Sequence, residues 1–140
     1  MDGVDLRKLR ELATRYTAAW CSQEPASVAA FFAPHGSLKV NDSQPAVGRD
    51  AIAGVARSFM TAFPDMKVLC DDLAVEGDTA IYRWTLLGTH SGPGGTGRRV
   101  RITGHERWRI DPDGLIVESL GSFDRDDYQR QLEGRSAQGP

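Results

Sequence analysis

Residues 99–110 alternate between two chemistries. One parity carries Arg99, Arg101, Thr103, His105, Arg107 and Arg109, and the other carries Val100, Ile102, Gly104, Glu106, Trp108 and Ile110. A period of two marks a strand with one face on a core, so the second set faces inward and Glu106 is a carboxyl group in an apolar row. Taking a carboxylate out of water penalises its charged form and raises its pKa. That brings proton transfer near neutral pH within its reach. Two readings of Glu106 stand at this level: a pocket carboxyl that takes or gives a proton, or a residue near the sheet edge, paired with an arginine or wetted by solvent.

Other residues fall in with the first reading. Leu115, Val117, Ser119, Gly121 and Phe123 share the more apolar parity of a following strand, which puts Ser119 on the inner surface. On a preceding strand, Ala80, Tyr82, Trp84 and Leu86 form the more apolar parity. Tyr16, Trp20, Tyr82, Trp84 and Trp108 are then expected to converge on one cavity. Large rings give contact area at low entropic cost and suit a flat or alicyclic ligand, although core packing accounts for each ring singly. Asn41, closing a short strand, is the candidate to polarise a substrate carbonyl, with His105 as a further polar neighbour. The candidate set is thus Glu106 as the proton-transfer group, with Tyr16, Trp20, Asn41, Tyr82, Trp84, Trp108 and Ser119 around the ligand.

The elements that must position these side chains follow from spacing. Leu6, Leu9, Leu12, Tyr16 and Trp20 recur every three or four residues and predict an amphipathic helix over residues 5–22. Pro25 opens a second, short helix over 26–32, closed by Pro34 and Gly36. Residues 37–41 alternate and predict a strand. The spacing of Ile52, Val55, Ala56, Phe59, Met60 and Phe63 predicts a third helix, stopped at Pro64.

From Met66 the period changes to two. Strands over 67–76, 79–89, 98–110 and 115–123 are separated by Gly77-Asp78, by a glycine-rich loop and by Asp111-Pro112-Asp113-Gly114, which describes an antiparallel meander. Asp124 caps a last helical turn through Tyr128 and Leu132. Residues 1–134 are expected to form one domain, and the composition of the final residues, 135–140, is that of a frayed tail. Helices first and a long antiparallel sheet afterward define an α+β fold, in which the helices cover the apolar face of a curved sheet. Strong curvature gives a cone whose open end is a ligand pocket.

Composition narrows the function. The 140 residues carry 17 Lys and Arg against 19 Asp and Glu, a formal charge of -2, so bulk attraction to nucleic acid or anionic lipid is not expected. No run approaches the roughly 20 apolar residues of a membrane helix. The start, Met1-Asp2-Gly3-Val4-Asp5, lacks a basic stretch followed by an apolar one, so a cytoplasmic address is the expectation. Cys21 and Cys70 lie in apolar segments without C-x-x-C spacing and read as reduced packing residues.

Several motifs fail on context. Gly92-Pro93-Gly94-Gly95-Thr96-Gly97 satisfies G-x-G-x-x-G, but an alternating β-branched run follows instead of the helix that would hold a pyrophosphate. His35, His90 and His105 fall on different elements without metal-ligand spacing. No G-x-S-x-G elbow is present. No cofactor or metal is therefore expected, and the arginine stripe reads as a solvated face or a contact between copies.

Trp84-Thr85-Leu86-Leu87-Gly88-Thr89-His90-Ser91-Gly92, Thr96-Gly97-Arg98-Arg99-Val100 and Asp113-Gly114-Leu115-Ile116-Val117-Glu118, in this order of elements, resemble the SnoaL-like branch of the nuclear transport factor 2-like superfamily. Ala46-Val47-Gly48-Arg49-Asp50-Ala51-Ile52 is similar to the start of that group's third helix. The resemblance covers nearly the whole chain. It implies a cystatin-like curved sheet wrapped by three N-terminal helices, a deep cavity, an apolar small-molecule ligand and a homodimer through the outer sheet face. It also implies acid-base chemistry of cyclase, isomerase or hydrolase type. Cyclases of the group carry a catalytic aspartate on the last strand, and the matching stretch here is Ser119-Leu120-Gly121. The acid-base role therefore shifts to Glu106, or else the chain is a non-catalytic ligand-binding or dimeric assembly domain.

Overall fold

The computed structural model describes residues 5–133. The tail expected at 135–140 lies outside them. Helix α1 (Leu6–Trp20) starts where Asp5 accepts hydrogen bonds from the backbone N–H groups of Arg7 and Lys8, which satisfies donors left free at a helix start. Then follow α2 (Pro25–Ala29), β1 (Phe32–Val40), β2 (Ala46–Val47), α3 (Arg49–Ala62), β3 (Lys67–Glu76), β4 (Thr79–Thr89), β5 (Arg99–Ile110), β6 (Ile116–Phe123) and α4 (Arg125–Leu132). The fold is mixed α+β.

One six-stranded sheet runs β2-β1-β6-β5-β4-β3. The meander β3-β4-β5-β6 is antiparallel, with Tyr82 opposite Glu106 and Glu106 opposite Gly121. Strand β1 joins β6 in parallel and makes the sheet mixed. The helical layer meets the inward parity of the sheet: Leu9, Tyr16, Ile52, Ala56 and Met60 share one buried cluster with Tyr82, Leu86, Ile102 and Trp108.

Three expectations need correction. The second helix ends at Ala29, and Phe32 already opens β1, so Pro34 and Gly36 lie inside a strand. The register shifts between Phe32 and Ser37, so the donor that proline lacks falls in an irregular stretch where the ladder does not need it. Gly36 lets β1 approach β6: a Cβ there would lie 2.8 Å from the Ile116 carbonyl oxygen. Second, the two-residue strand β2 was not anticipated, because it is too short to carry a period. Third, Cys21 and Cys70 are exposed free thiols. Cys21 ends α1 and meets the backbone of Val68, while Cys70 sits at a bulge of the edge strand β3.

Helix α4 closes the sheet where β6 runs out. The Gln131 side chain accepts from the Arg101 N–H at 2.7 Å and donates to the Arg101 carbonyl at 2.9 Å, as a neighbouring strand would. No helix among the described residues is long and apolar enough to cross a membrane.

Candidate active site

Strand alternation delivers Glu106 to the inner face, where it is 7% exposed. Three donors from three elements converge on one of its oxygens, Oε1. Tyr16 Oη reaches it from α1 at 2.9 Å, Trp108 Nε1 from the same strand at 2.9 Å and Ser119 Oγ from β6 at 2.7 Å. Each placement follows from local structure. Trp108 is two residues along β5 and on the same face. Ser119 stands directly opposite Trp108 in the β5–β6 register, one diagonal step from Glu106. Tyr16 belongs to the apolar stripe of α1 and is fully buried.

This arrangement treats the two carboxyl oxygens differently. Oε1 is filled by donors and has no room for a proton, whereas no described hydrogen bond reaches Oε2. When Glu106 is protonated, the proton sits on Oε2. Burial pushes the pKa of Glu106 up, and the hydrogen bonds from Trp108, Ser119 and Tyr16 offset part of that shift. No arginine among the described residues pairs with Glu106. Arg107 pairs with Glu76 at 3.5 Å and Arg109 with Glu118 at 3.6 Å on the outer face. Of the two sequence readings of Glu106, the buried carboxyl is the one observed.

The neighbouring phenols are locked out of proton transfer. Burial, and after it the Glu106 charge, hold the pKa of Tyr16 well above its ordinary value. Tyr82 is also raised, chiefly by burial. Its ring stacks on Trp108 at 4.7 Å between centroids, and its hydroxyl lies 2.5 Å from Thr17 Oγ1. Thr17 donates its own hydrogen to the Ala13 carbonyl at 2.7 Å, so Tyr82 donates and Thr17 accepts.

Glu106 lines a cavity of about 60 Å³ that opens to solvent at its mouth. Trp20 and Phe59 face it from the helices and pack edge to face at 6.2 Å. Trp84 and Phe123 face it from the sheet and meet in the same manner at 6.1 Å. Tyr82, Leu38, Gly121 and Ser122 are among the remaining wall residues. Among the described residues the lining is mostly apolar, with Glu106 its one carboxyl side chain and Ser122 and Tyr82 its hydroxyl groups.

The candidates separate into layers. Trp20, Tyr82 and Trp84 line the cavity with Glu106. Tyr16, Trp108 and Ser119 are fully buried and meet Glu106 on its Oε1 side. Asn41 is outside the lining. Its backbone has a left-handed φ of 51°, its Oδ1 accepts from the Phe123 N–H at 2.9 Å, and it ties β1 to β6. His105 has the opposite parity from Glu106, with Arg83 and Ser122 as its cross-strand neighbours. Phe59 and Thr17 were not singled out. Phe59 lay in plain view in the α3 stripe, where it reads as core, and Thr17 has no sequence signal because its partner is 65 residues away.

A profile of the SnoaL-like polyketide cyclase family matches residues 10–132. The chain belongs to that family. No curated protein matches this SnoaL-like chain significantly in sequence. Among solved structures, TsrD from Streptomyces laurentii is 26% identical, covers 92% of this chain and 97% of its own, and superposes with a TM-score of 0.79. A protein of ketosteroid isomerase-like fold from Catenulispora acidiphila, solved with trimethylamine, is 17% identical over 88% of this chain and 92% of its own, with a TM-score of 0.78. SalBIII, an epoxide hydrolase/cyclase-like enzyme of pyran ring formation in the polyether salinomycin, is 17% identical over 88% and 95%, with a TM-score of 0.75. The last two likenesses are of fold.

This SnoaL-like chain departs from the family resemblance at Gly121, which has no side chain to carry a proton. Gly121 stands directly opposite Glu106, and a Cβ built on it would lie 3.8 Å from Glu106 Cγ. The carboxyl group therefore reaches the cavity from the adjacent strand.

Proposed function

We propose that the protein is an acid-base enzyme of cyclase, isomerase or hydrolase type acting on a small apolar cyclic molecule. Glu106 Oε2 takes or gives the proton. The observation that carries this reading is the asymmetry of the carboxyl group, on a residue that lines an aromatic cavity: Oε1 is pinned by three donors, and Oε2 has no hydrogen-bond partner among the described residues. A carboxyl group so held loses no orientation when the substrate arrives, and its raised pKa suits a donor or acceptor near neutral pH. Trp20, Tyr82 and Trp84 hold the ring system. Membership in a family that includes cyclases, and the fold shared with an epoxide hydrolase/cyclase-like enzyme, support the reaction class.

The test is a panel of small alicyclic ketones, enones and epoxides incubated with the protein in deuterated water, read by mass spectrometry and NMR. Deuterium incorporation or ring opening that falls about 10²–10⁴-fold in Glu106→Gln supports the assignment, and turnover retained in that variant removes it. A second reading, binding without chemistry, is favoured by the missing side chain at Gly121. It predicts tight binding of panel members with no turnover in either form.

A homodimer through the outer sheet face belongs to the same proposal. Leu69 and Leu120 on that face are 43% and 41% exposed.

A further inference from the structure

The polar content of the cavity is lopsided. Glu106 brings a carboxyl group, and no lysine, arginine or histidine among the described residues lines the cavity with it. The two phenols and the serine hydroxyl packed near it have spent their hydrogens, Tyr16 and Ser119 on Oε1 and Tyr82 on Thr17, and the Trp20 indole N–H is a neutral donor without a hydrogen-bond partner among the described residues. When Glu106 is ionised, its charge meets three neutral donors on one oxygen and nothing within the described residues on the other. An apolar enclosure ordinarily makes such a charge costly.

The walls supply the other half of the argument. Trp20, Phe59, Tyr82, Trp84 and Phe123 bring five aromatic rings to one cavity, from α1, α3, β4 and β6. Two of these pairs stand edge to face, Trp20 with Phe59 and Trp84 with Phe123. The faces of aromatic rings attract cations, tryptophan most strongly, and the attraction grows when water is excluded. A neutral hydrocarbon would satisfy the rings and leave the carboxylate uncompensated. A cation dressed in apolar groups satisfies both.

We propose that the ligand carries a positively charged nitrogen with small apolar substituents, a protonated tertiary amine or a quaternary ammonium, seated among Trp20, Trp84 and Phe123 with Glu106 Oε2 as its counter-ion. This rests on the reading that Glu106 faces the ligand, and it names a charge that the acid-base proposal leaves open. Chemistry on a ring and binding of an attached ammonium are compatible in one molecule.

The test compares choline with 3,3-dimethylbutan-1-ol, which has the same shape with carbon in place of nitrogen. Neither can exchange a proton at the quaternary centre, so the comparison reads charge alone. Calorimetric titration of the intact protein is expected to show choline binding at least ~10-fold more tightly than the alcohol. Glu106→Gln is expected to bring the ratio to ~3-fold or less, leaving the part due to the rings. Trp84→Leu is expected to weaken choline more than the alcohol. Equal affinities in the native protein, or no binding of choline, overturn the inference whether or not the variants fold. Either result leaves the acid-base proposal to its own test, because proton exchange on neutral ketones does not depend on a cationic ligand.

Discussion

Glu106 and Gly121 face each other across the β5–β6 ladder, and a Cβ built on Gly121 would touch the Glu106 side chain at 3.8 Å, an ordinary contact. A carboxyl group can reach a given point of a concave sheet from either of two adjacent strands. In this chain β6 has a glycine at that row, and the carboxyl group comes from β5.

Filling Gly121 should therefore be felt by Glu106. A Cβ at that position lies 3.2 Å from the Lys39 carbonyl oxygen, tight enough to require a small shift of backbone. Gly121→Ala is expected to cost about 1 kcal/mol in urea unfolding. Gly121→Asp is expected to cost more and to raise the pKa of Glu106 further, because two carboxylates on one row repel. A Gly121→Asp protein as stable as the native one, with Glu106 titrating unchanged, would show that the two positions do not communicate.

Stability should fall with rising pH on account of Glu106. Its folded pKa is raised, so the folded state holds a proton that the unfolded chain releases earlier. The contribution is fully present below the ordinary glutamate value and is lost as pH climbs through the raised folded value. Unfolding measured across that window should show the native protein losing stability relative to Glu106→Gln, which has no proton to release. Parallel curves for the two would contradict the assignment.

The donors on Oε1 stabilise the charged form against the cost of burial. Tyr16→Phe and Ser119→Ala should each raise the Glu106 pKa further, since each removes a bond that lowers it. Each is expected to cost about 1–3 kcal/mol at pH values where Glu106 is ionised, and less where it is neutral. Urea titrations at two pH values check this, and a lowered pKa in either variant would reverse the argument.

The outer face makes a separate prediction. Leu120 stands between Lys39 and Arg107 on the solvent side of the sheet. If that face pairs two copies, sedimentation should give a dimer, and Leu120→Glu should weaken it by about 3 kcal/mol, roughly a hundredfold. A native monomer at high concentration would remove the dimer from the account.

Much of this was legible in the chain because periodicity is a local property. Alternation along β5 placed Glu106 inward, and the stripe of α1 turned Tyr16 and Trp20 toward the sheet. What the sequence left unread depends on pairing between distant segments. Pro34 and Gly36 look like a stop signal until β1 is laid beside β6, where an irregular stretch absorbs both. Asn41 gives no local sign that its oxygen takes the Phe123 N–H. Tyr16, Trp108 and Ser119 look like cavity walls until all three are found on Oε1. No spacing rule predicts that three donors from three elements choose the same atom.

The most direct measurement is the titration of the Glu106 carboxyl carbon by NMR in uniformly ¹³C-labelled protein, assigned by its loss in Glu106→Gln. A buried acid poised for proton transfer titrates above the ordinary glutamate range while the fold remains intact. A midpoint at or below that range would mean that the three donors outweigh burial. Glu106 would then be a permanently charged structural anchor, and the acid-base account would fail.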